Sequence, residues 1–315
     1  MKKIVAAFVL SMFSLLALPV LAQPSLKMMI PANPGGGWDQ TGRSLAAAMQ
    51  SAKLVSSVQF DNKGGAAGII GLAQFVNSAK GDPNAVMMGG MVMVGGIILG
   101  KSAVNLSQVT PIARLTSEWE VVVVPAASPI KSMADLVKML KDNPGKVSWG
   151  GGSAGGTDHI LAGLIARAVG VDAAKVNYVP YKGGGEAIAA ILGGHVTVGV
   201  SGIGEFAEQV KAGKMRALAV SAPTGIDGIA SLKEQGIDVE LGNWRGIFGG
   251  PGITPQQRDA LVKLVKDATE TPAWKATLDK LGWTPVFLGG DDYGKFIEED
   301  IKRVSAIIES LGLKK

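Results

Sequence analysis

From residue 26 onward the chain alternates between short β-branched or apolar runs and stretches whose apolar positions recur at helical spacing. Residues 26–31 read as a buried strand, and residues 41–51 as a helix with Leu45 and Met49 on one face. Val58-Gln59-Phe60 is a short strand; beyond the glycines of residues 64–68 comes a helix carrying Ile70, Ala73, Gln74 and Val76. Residues 85–94 read as another strand, as do residues 120–124, closed by Pro125. Residues 132–140 form a capped helix. The pattern then repeats: strands at 147–149, 177–181, 196–201 and 217–221, with helices at 160–169 and 186–192 between them. The tail carries two long helices, 254–270, with Leu261, Leu264 and Val265 on one stripe, and 291–311.

Such alternation predicts parallel sheets with helices on their faces, an α/β fold. One unit covers residues 26–120 and a second 125–220. The tail after Pro223 is too poor in strands to stand alone and is expected to dock back on the first unit. The division is therefore residues 23–123 with 223–315 in one lobe and 124–222 in the other. The two chain crossings between them are natural hinges.

The N-terminus changes the picture by fixing a compartment. Met1-Lys2-Lys3 is basic, residues 4–18 are apolar apart from two serines, and Val20-Leu21-Ala22 is a small-residue cleavage site. That is the layout of a secretory signal peptide, expected to be cut after Ala22. The apolar run is shorter than the roughly 20 residues of a spanning helix. The mature chain is expected to be exported, and the formal charge of +5 becomes +3 once Lys2 and Lys3 are gone. Its lysines are scattered, so a nucleic-acid footprint is missing. With 0 cysteines there is no disulfide, thiol nucleophile or thiolate metal site.

Candidate chemistry gathers at two glycine loops, each between a strand and a helix. The first is Ile30-Pro31-Ala32-Asn33-Pro34-Gly35-Gly36-Gly37-Trp38-Asp39-Gln40; the second is Trp149-Gly150-Gly151-Gly152-Ser153-Ala154-Gly155-Gly156-Thr157-Asp158-His159. Glycine lets backbone approach a ligand closely, and a helix opening just after the loop presents free N–H groups and a positive dipole end. That is an anion site, carried twice.

Three enzyme signatures match these stretches on paper. Residues 95–102 fit the P-loop spacing, but Gly96-Ile97-Ile98-Leu99 is too apolar to cradle phosphate. Gly150, Gly152 and Gly155 fit the dinucleotide spacing, yet the next strand ends in Tyr181 rather than an acid. Gly151-x-Ser153-x-Gly155 fits the nucleophile elbow of a serine hydrolase. Ser153 would need a histidine late in the chain, and the two present are His159, on the helix opened by the same loop, and His195. Met87, Met88, Met91 and Met93 read as core on one strand rather than a soft-metal site. Glu186 and Glu205 read as first-turn helix residues favoured by the dipole. No Asp/Glu/His cluster has metal-ligand spacing, and no cofactor is expected.

Together these features resemble the periplasmic solute receptors of the tripartite tricarboxylate transporter system, also called Bug receptors. The resemblance is carried by residues 31–39, Asn62-Lys63-Gly64-Gly65-Ala66-Ala67-Gly68, residues 152–159, Tyr181-Lys182-Gly183-Gly184-Gly185-Glu186-Ala187, Gly193-Gly194-His195-Val196 and Trp244-Arg245-Gly246. It implies a two-lobed periplasmic binding protein of type II, each lobe a sheet flanked by helices, with a hinge between them. A monomeric receptor, not an enzyme, would close on a small carboxylate and deliver it to integral membrane subunits. By position Gly36, Gly37, Trp38, Asp39 and Gly65 would serve one lobe. Ser153, Ala154, Thr157, His159, Tyr181 and Lys182 would serve the other. Asp39, a poor partner for an anion, is expected to cap its helix. His159 either touches ligand or ends as a helix-end or surface residue. Lys182 and Arg245 are candidates for a distal carboxylate, Arg245 equally for a structural hinge residue. The ligand implied is a di- or tricarboxylate such as citrate, with a mono- or aromatic carboxylate as the alternative; a secreted serine esterase using Ser153 is the alternative of another class.

Overall fold

A computed structural model describes residues 23–182 and 184–313. The expected signal peptide, residues 1–22, lies outside the described residues.

The first lobe starts with β1 (Ser25–Ile30), α1 (Gly37–Ser51), β2 (Ser57–Asn62), α2 (Ile69–Ser78), β3 (Ala85–Gly90) and α3 (Met91–Gly100). Then β4 (Thr110–Pro125) runs for 16 residues out of this lobe and into the next. There follow α4 (Met133–Asp142), β5 (Ser148–Gly151), α5 (Thr157–Ala168), β6 (Asn177–Pro180), α6 (Gly184–Leu192), β7 (Val198–Gly202), α7 (Ile203–Lys211) and β8 (Met215–Val220). The chain returns through β9 (Gly242–Gly249), α8 (Pro255–Thr269), α9 (Pro272–Leu281), β10 (Thr284–Gly289) and α10 (Gly290–Ser310). No described helix is long and apolar enough to cross a membrane.

The strands line up as β2-β1-β3-β9-β4-β7-β5-β6, with β10 and β8 also on β4. The sheets are mixed rather than wholly parallel: β1 runs parallel to β2 and β3, and β5 to β6 and β7, whereas β9, β10, β7 and β8 lie antiparallel to β4. Along β4 the partner changes at one peptide. Trp119 is still opposite Gly242 of β9, while Glu120 is opposite Gly202 of β7. In the tail, β9 is inserted between β3 and β4, and α8 and α9 pack on α1.

Local chemistry accounts for several ends. Ser132 accepts from the Asp135 N–H while Asp135 reaches back, a capping box that starts α4. Thr254 does the same with Gln257, and Pro255 occupies the first turn of α8, where no N–H is needed. The expected strand at 85–94 ends at Gly90. Met91 and Met93 instead begin α3, so the four methionines divide between a strand and a helix, all fully buried. An unbroken apolar run has no period to tell the two apart. The P-loop spacing accordingly falls within α3 and its C-terminal end, with no loop to hold phosphate.

Candidate binding cleft

Both glycine loops become helix starts facing the same space. Gly35 turns the first loop at φ +87°, Gly36 caps α1 in extended conformation, and Gly37 is the first helical residue, earlier than the pattern placed it. A Cβ on Gly37 would lie 2.8 Å from Glu205 Oε1 and overlap the Arg245 guanidinium. Asp39, in the first turn, accepts from the Gly35 N–H at 3.0 Å and from Arg43 Nε and Asn62 Nδ2, both at 2.9 Å. Burial pushes its carboxyl up, but these three donors outweigh it and hold the pKa below the usual value. In the second loop Gly155, at φ +78°, precedes the cap Gly156 and α5. Asp158 Oδ2 accepts from the Gly152 N–H at 2.5 Å, and the Tyr178 hydroxyl donates to the Gly152 carbonyl at 2.8 Å. Each loop is thus tied down by an acid from the first turn of its own helix.

Between the loops lies a cleft, open at its mouth. Gly36, Gly37 and Trp38 form one wall with Gly65 and Gly68; Gly152, Ser153, Tyr181 and Lys182 form the other; Ser201, Glu205, Asn243 and Arg245 form the floor. At the mouth Glu186 joins the two sides, accepting from Asn33 Nδ2 at 3.1 Å and from the Lys182 N–H at 3.1 Å.

Of the predicted residues, Gly36, Gly37, Trp38, Gly65, Ser153, Tyr181, Lys182 and Arg245 are brought together here. Ala154 lines an adjoining apolar groove shared with Ala67, Leu99 and Tyr181. Asp39 is turned into the loop that it braces, and Thr157 is fully buried at the start of α5. His159 is also absent from the cleft lining: its Nδ1 accepts from the Gly155 N–H at 3.0 Å, and its ring stacks on Tyr178 with centroids 4.3 Å apart. Burial lowers its pKa to about 4, so the ring is neutral. A histidine whose Nδ1 is occupied and whose ring is stacked cannot serve Ser153 as a base.

Arg245 is 1% exposed and is not a free cation. Its Nη2 contacts Glu118 Oε2 and stands 3.6 Å from Glu205 Oε1; Nη1 donates to Thr41 Oγ1 at 3.3 Å, and the guanidinium lies over Trp283. Glu118 in turn accepts from the Gly204 N–H at the start of α7 at 2.8 Å. This hub joins β9, the middle of β4 and α7.

The sequence reading missed the acids. Glu118 and Glu120 are fully buried on β4, and Asp158 and Glu205 line the cleft. Burial raises Glu205 to about 8, with Arg245 opposing and Glu118 and Asp158 adding to the rise; it raises Asp158 to about 6 and Glu120 well above the carboxylate range. A signal was present: Glu118 and Glu120 alternate on one face of a strand that continues as an unbroken valine run.

Two α/β lobes sharing one strand, with a glycine-walled cleft between them, define a solute-binding receptor of the periplasmic binding-protein kind. Residues 42–313 match the model of the tripartite tricarboxylate transporter family receptor, and the chain belongs to that family. Among its relatives is the UPF0065 protein in the gbd 5′ region of Cupriavidus necator, 30% identical, the match covering 96% of this chain and 93% of that one. The periplasmic binding protein BugD superposes with a TM-score of 0.82 at 22% identity, over 93% of this chain and 99% of that one. A Rhodopseudomonas palustris protein solved with adipate gives 0.82 at 20%, over 92% and 97%. MatC from the same organism, solved with malate, gives 0.79 at 20%, over 92% and 100%. At these identities the structural likeness speaks for the fold.

Proposed function

We propose that the protein, exported to the periplasm and cut after Ala22, captures a small carboxylate between its lobes as a monomer and passes it to the membrane subunits of a tripartite transporter. The observation that carries this reading is the pair of helix starts, α1 at Gly37 and α5 at Thr157, opening from loops that wall one cleft. First-turn N–H groups have no acceptor within their own helix, and together with the dipole they hold an anion without any charged side chain.

Malate in MatC and adipate in the second R. palustris protein are both dicarboxylates, which favours a dicarboxylate here. One carboxylate would meet the helix starts and the other Lys182, the one cleft-lining cation not already paired with Glu118 among the described residues. Ser153 has no histidine in the cleft lining, which argues against the esterase.

A thermal-shift panel of mono-, di- and tricarboxylates on the mature protein tests this. A ligand at one hundred times its Kd stabilises the fold by about 2.7 kcal/mol, which is a readily measured rise in Tm. No shift with any carboxylate, together with ester turnover abolished by Ser153→Ala, would overturn it.

A further inference from the structure

The cleft floor holds more acid than an anion site calls for. Glu205, in the first turn of α7, lines the cleft between Gly37 and Gly184, the opening residues of α1 and α6. Its Oε1 is 3.6 Å from Arg245 Nη2, but that nitrogen is in tighter contact with Glu118, so the positive charge is matched before Glu205 is counted. The charged and titratable groups around it come from several elements: Glu118 and Glu120 from β4, Asp158 from α5, Arg245 from β9, with Tyr178 of β6 behind Asp158 and Lys182 on the opposite rim. Ser201 of β7 supplies a hydrogen bond.

A second observation on the same floor points to a ligand. Asn243, two residues before Arg245 on β9, lines the cleft at 6% exposure, and its Oδ1 is buried with no hydrogen-bond partner. Leaving a buried amide oxygen unpaired costs about 1–3 kcal/mol. That oxygen is an acceptor facing the cleft, so the group that pairs it from there must bring a donor, such as the hydroxyl of a hydroxy acid.

We propose that Glu205 and Asn243 form a proton-carrying subsite on the cleft floor, where a neutral carboxylic acid donates to the bound carboxylate and the amide oxygen accepts from a hydroxyl of the same ligand, so that capture is linked to one proton on the protein. This rests on the carboxylate reading above. A neutral Glu205 donates its O–H to a ligand oxygen, and an ionised one repels it. Burial already holds that proton to about pH 8. The ligand's negative charge adds to the same tendency, so proton and ligand favour each other.

The test is titration calorimetry of the mature protein with malate and with adipate from pH 6.5 to 9, in buffers of different ionisation enthalpy. Affinity should fall about tenfold between pH 7 and pH 9 if only the protonated form binds and the group titrates near 8. Proton uptake, read from the buffer dependence, should appear near pH 8. Glu205→Gln keeps a donor and should lose the slope. Asn243→Ala should weaken binding of malate, which carries a hydroxyl, at every pH and keep the slope, and should leave adipate, which has no donor, unaffected. A merely structural Glu205 would give weaker binding with the slope intact. A ligand-free readout is the infrared carbonyl band of a protonated carboxyl at pH 7, present in the wild type and reduced in Glu205→Gln. Flat affinity from pH 7 to 9, or an infrared band unchanged by Glu205→Gln, overturns the proposal alone. Failure of every panel carboxylate to bind overturns the function beneath it.

Discussion

Substituting Gly95 by alanine should weaken ligand binding without weakening the fold. Gly95 lies in α3 of the first lobe and meets Gly155 of the second glycine loop. A Cβ on Gly95 would stand 3.0 Å from the Gly155 carbonyl carbon and closer still to its oxygen; a Cβ on Gly155 would stand 2.9 Å from the Gly95 oxygen. Carbon atoms pack at about 3.5–4.0 Å, so α3 and the loop must separate by at least half an ångström. The neighbour is backbone and cannot rotate away. Overpacking of this kind costs about 1–3 kcal/mol. Charged against lobe closure alone, that is a loss of about 5- to 150-fold in affinity. Within the helix, the same change from glycine to alanine is worth about 0.5–1 kcal/mol in favour of folding. Titration calorimetry on the variant should therefore show a weaker Kd, while urea unfolding of the free protein shows stability equal to or above that of the wild type. Unchanged affinity would refute the assignment of this contact to lobe closure.

Three further outcomes are expected. Arg245→Met should cost about 3–5 kcal/mol in urea unfolding because it strands the fully buried Glu118, and the double change with Glu118→Gln should recover much of that loss. His159, held at about 4 in the folded protein against 6.5 unfolded, should show no imidazole titration by NMR above pH 5. The unfolded chain binds the proton first, so this residue should make stability fall as pH drops from 6.5 toward 4, and His159→Phe should flatten that segment of the curve. Asn33→Ala removes the only side-chain bond of Glu186 across the mouth among the described residues; ligand dissociation by stopped flow should quicken by about threefold, while the same rate in Asn33→Asp, which faces Glu186 with a like charge, should rise further.

Much of the scaffold was legible because periodicity and caps are local. The two glycine loops, the capping boxes at Ser132 and Thr254 and the long helix ending near Leu311 are all written in neighbouring residues. What escaped was long-range. The four-methionine stretch carries no period, so the end of β3 at Gly90 was invisible. β9 is interrupted by glycines, and it is its two partners, β3 and β4, that make it a central strand. At the site, the residues read from loop chemistry reached the cleft, whereas Glu205 and Asp158 were concealed by their own helices. An acid in a first turn is explained by the dipole, and nothing in the sequence says that the same carboxyl also faces a cavity. Arg245 was foreseen as either a ligand or a structural residue, and its contact with Glu118 depends on a strand register that no local pattern encodes.

The placing of β9 bears on how the molecule is made. β3 and β4 are neighbours in the sequence but not in the sheet, and the strand that joins them ends at Gly249. A nascent chain that has not reached that point presents two unpaired strand edges, each a template for wrong pairing. The second lobe, built from β5 to β8 and the far half of β4, meets all its strand partners earlier. Assembly is therefore ordered against synthesis: the half that emerges first is completed last, and the large sequence separation of its central contacts makes that step slow. A chain that stays unfinished until almost all of it exists is one that holding factors can keep extended.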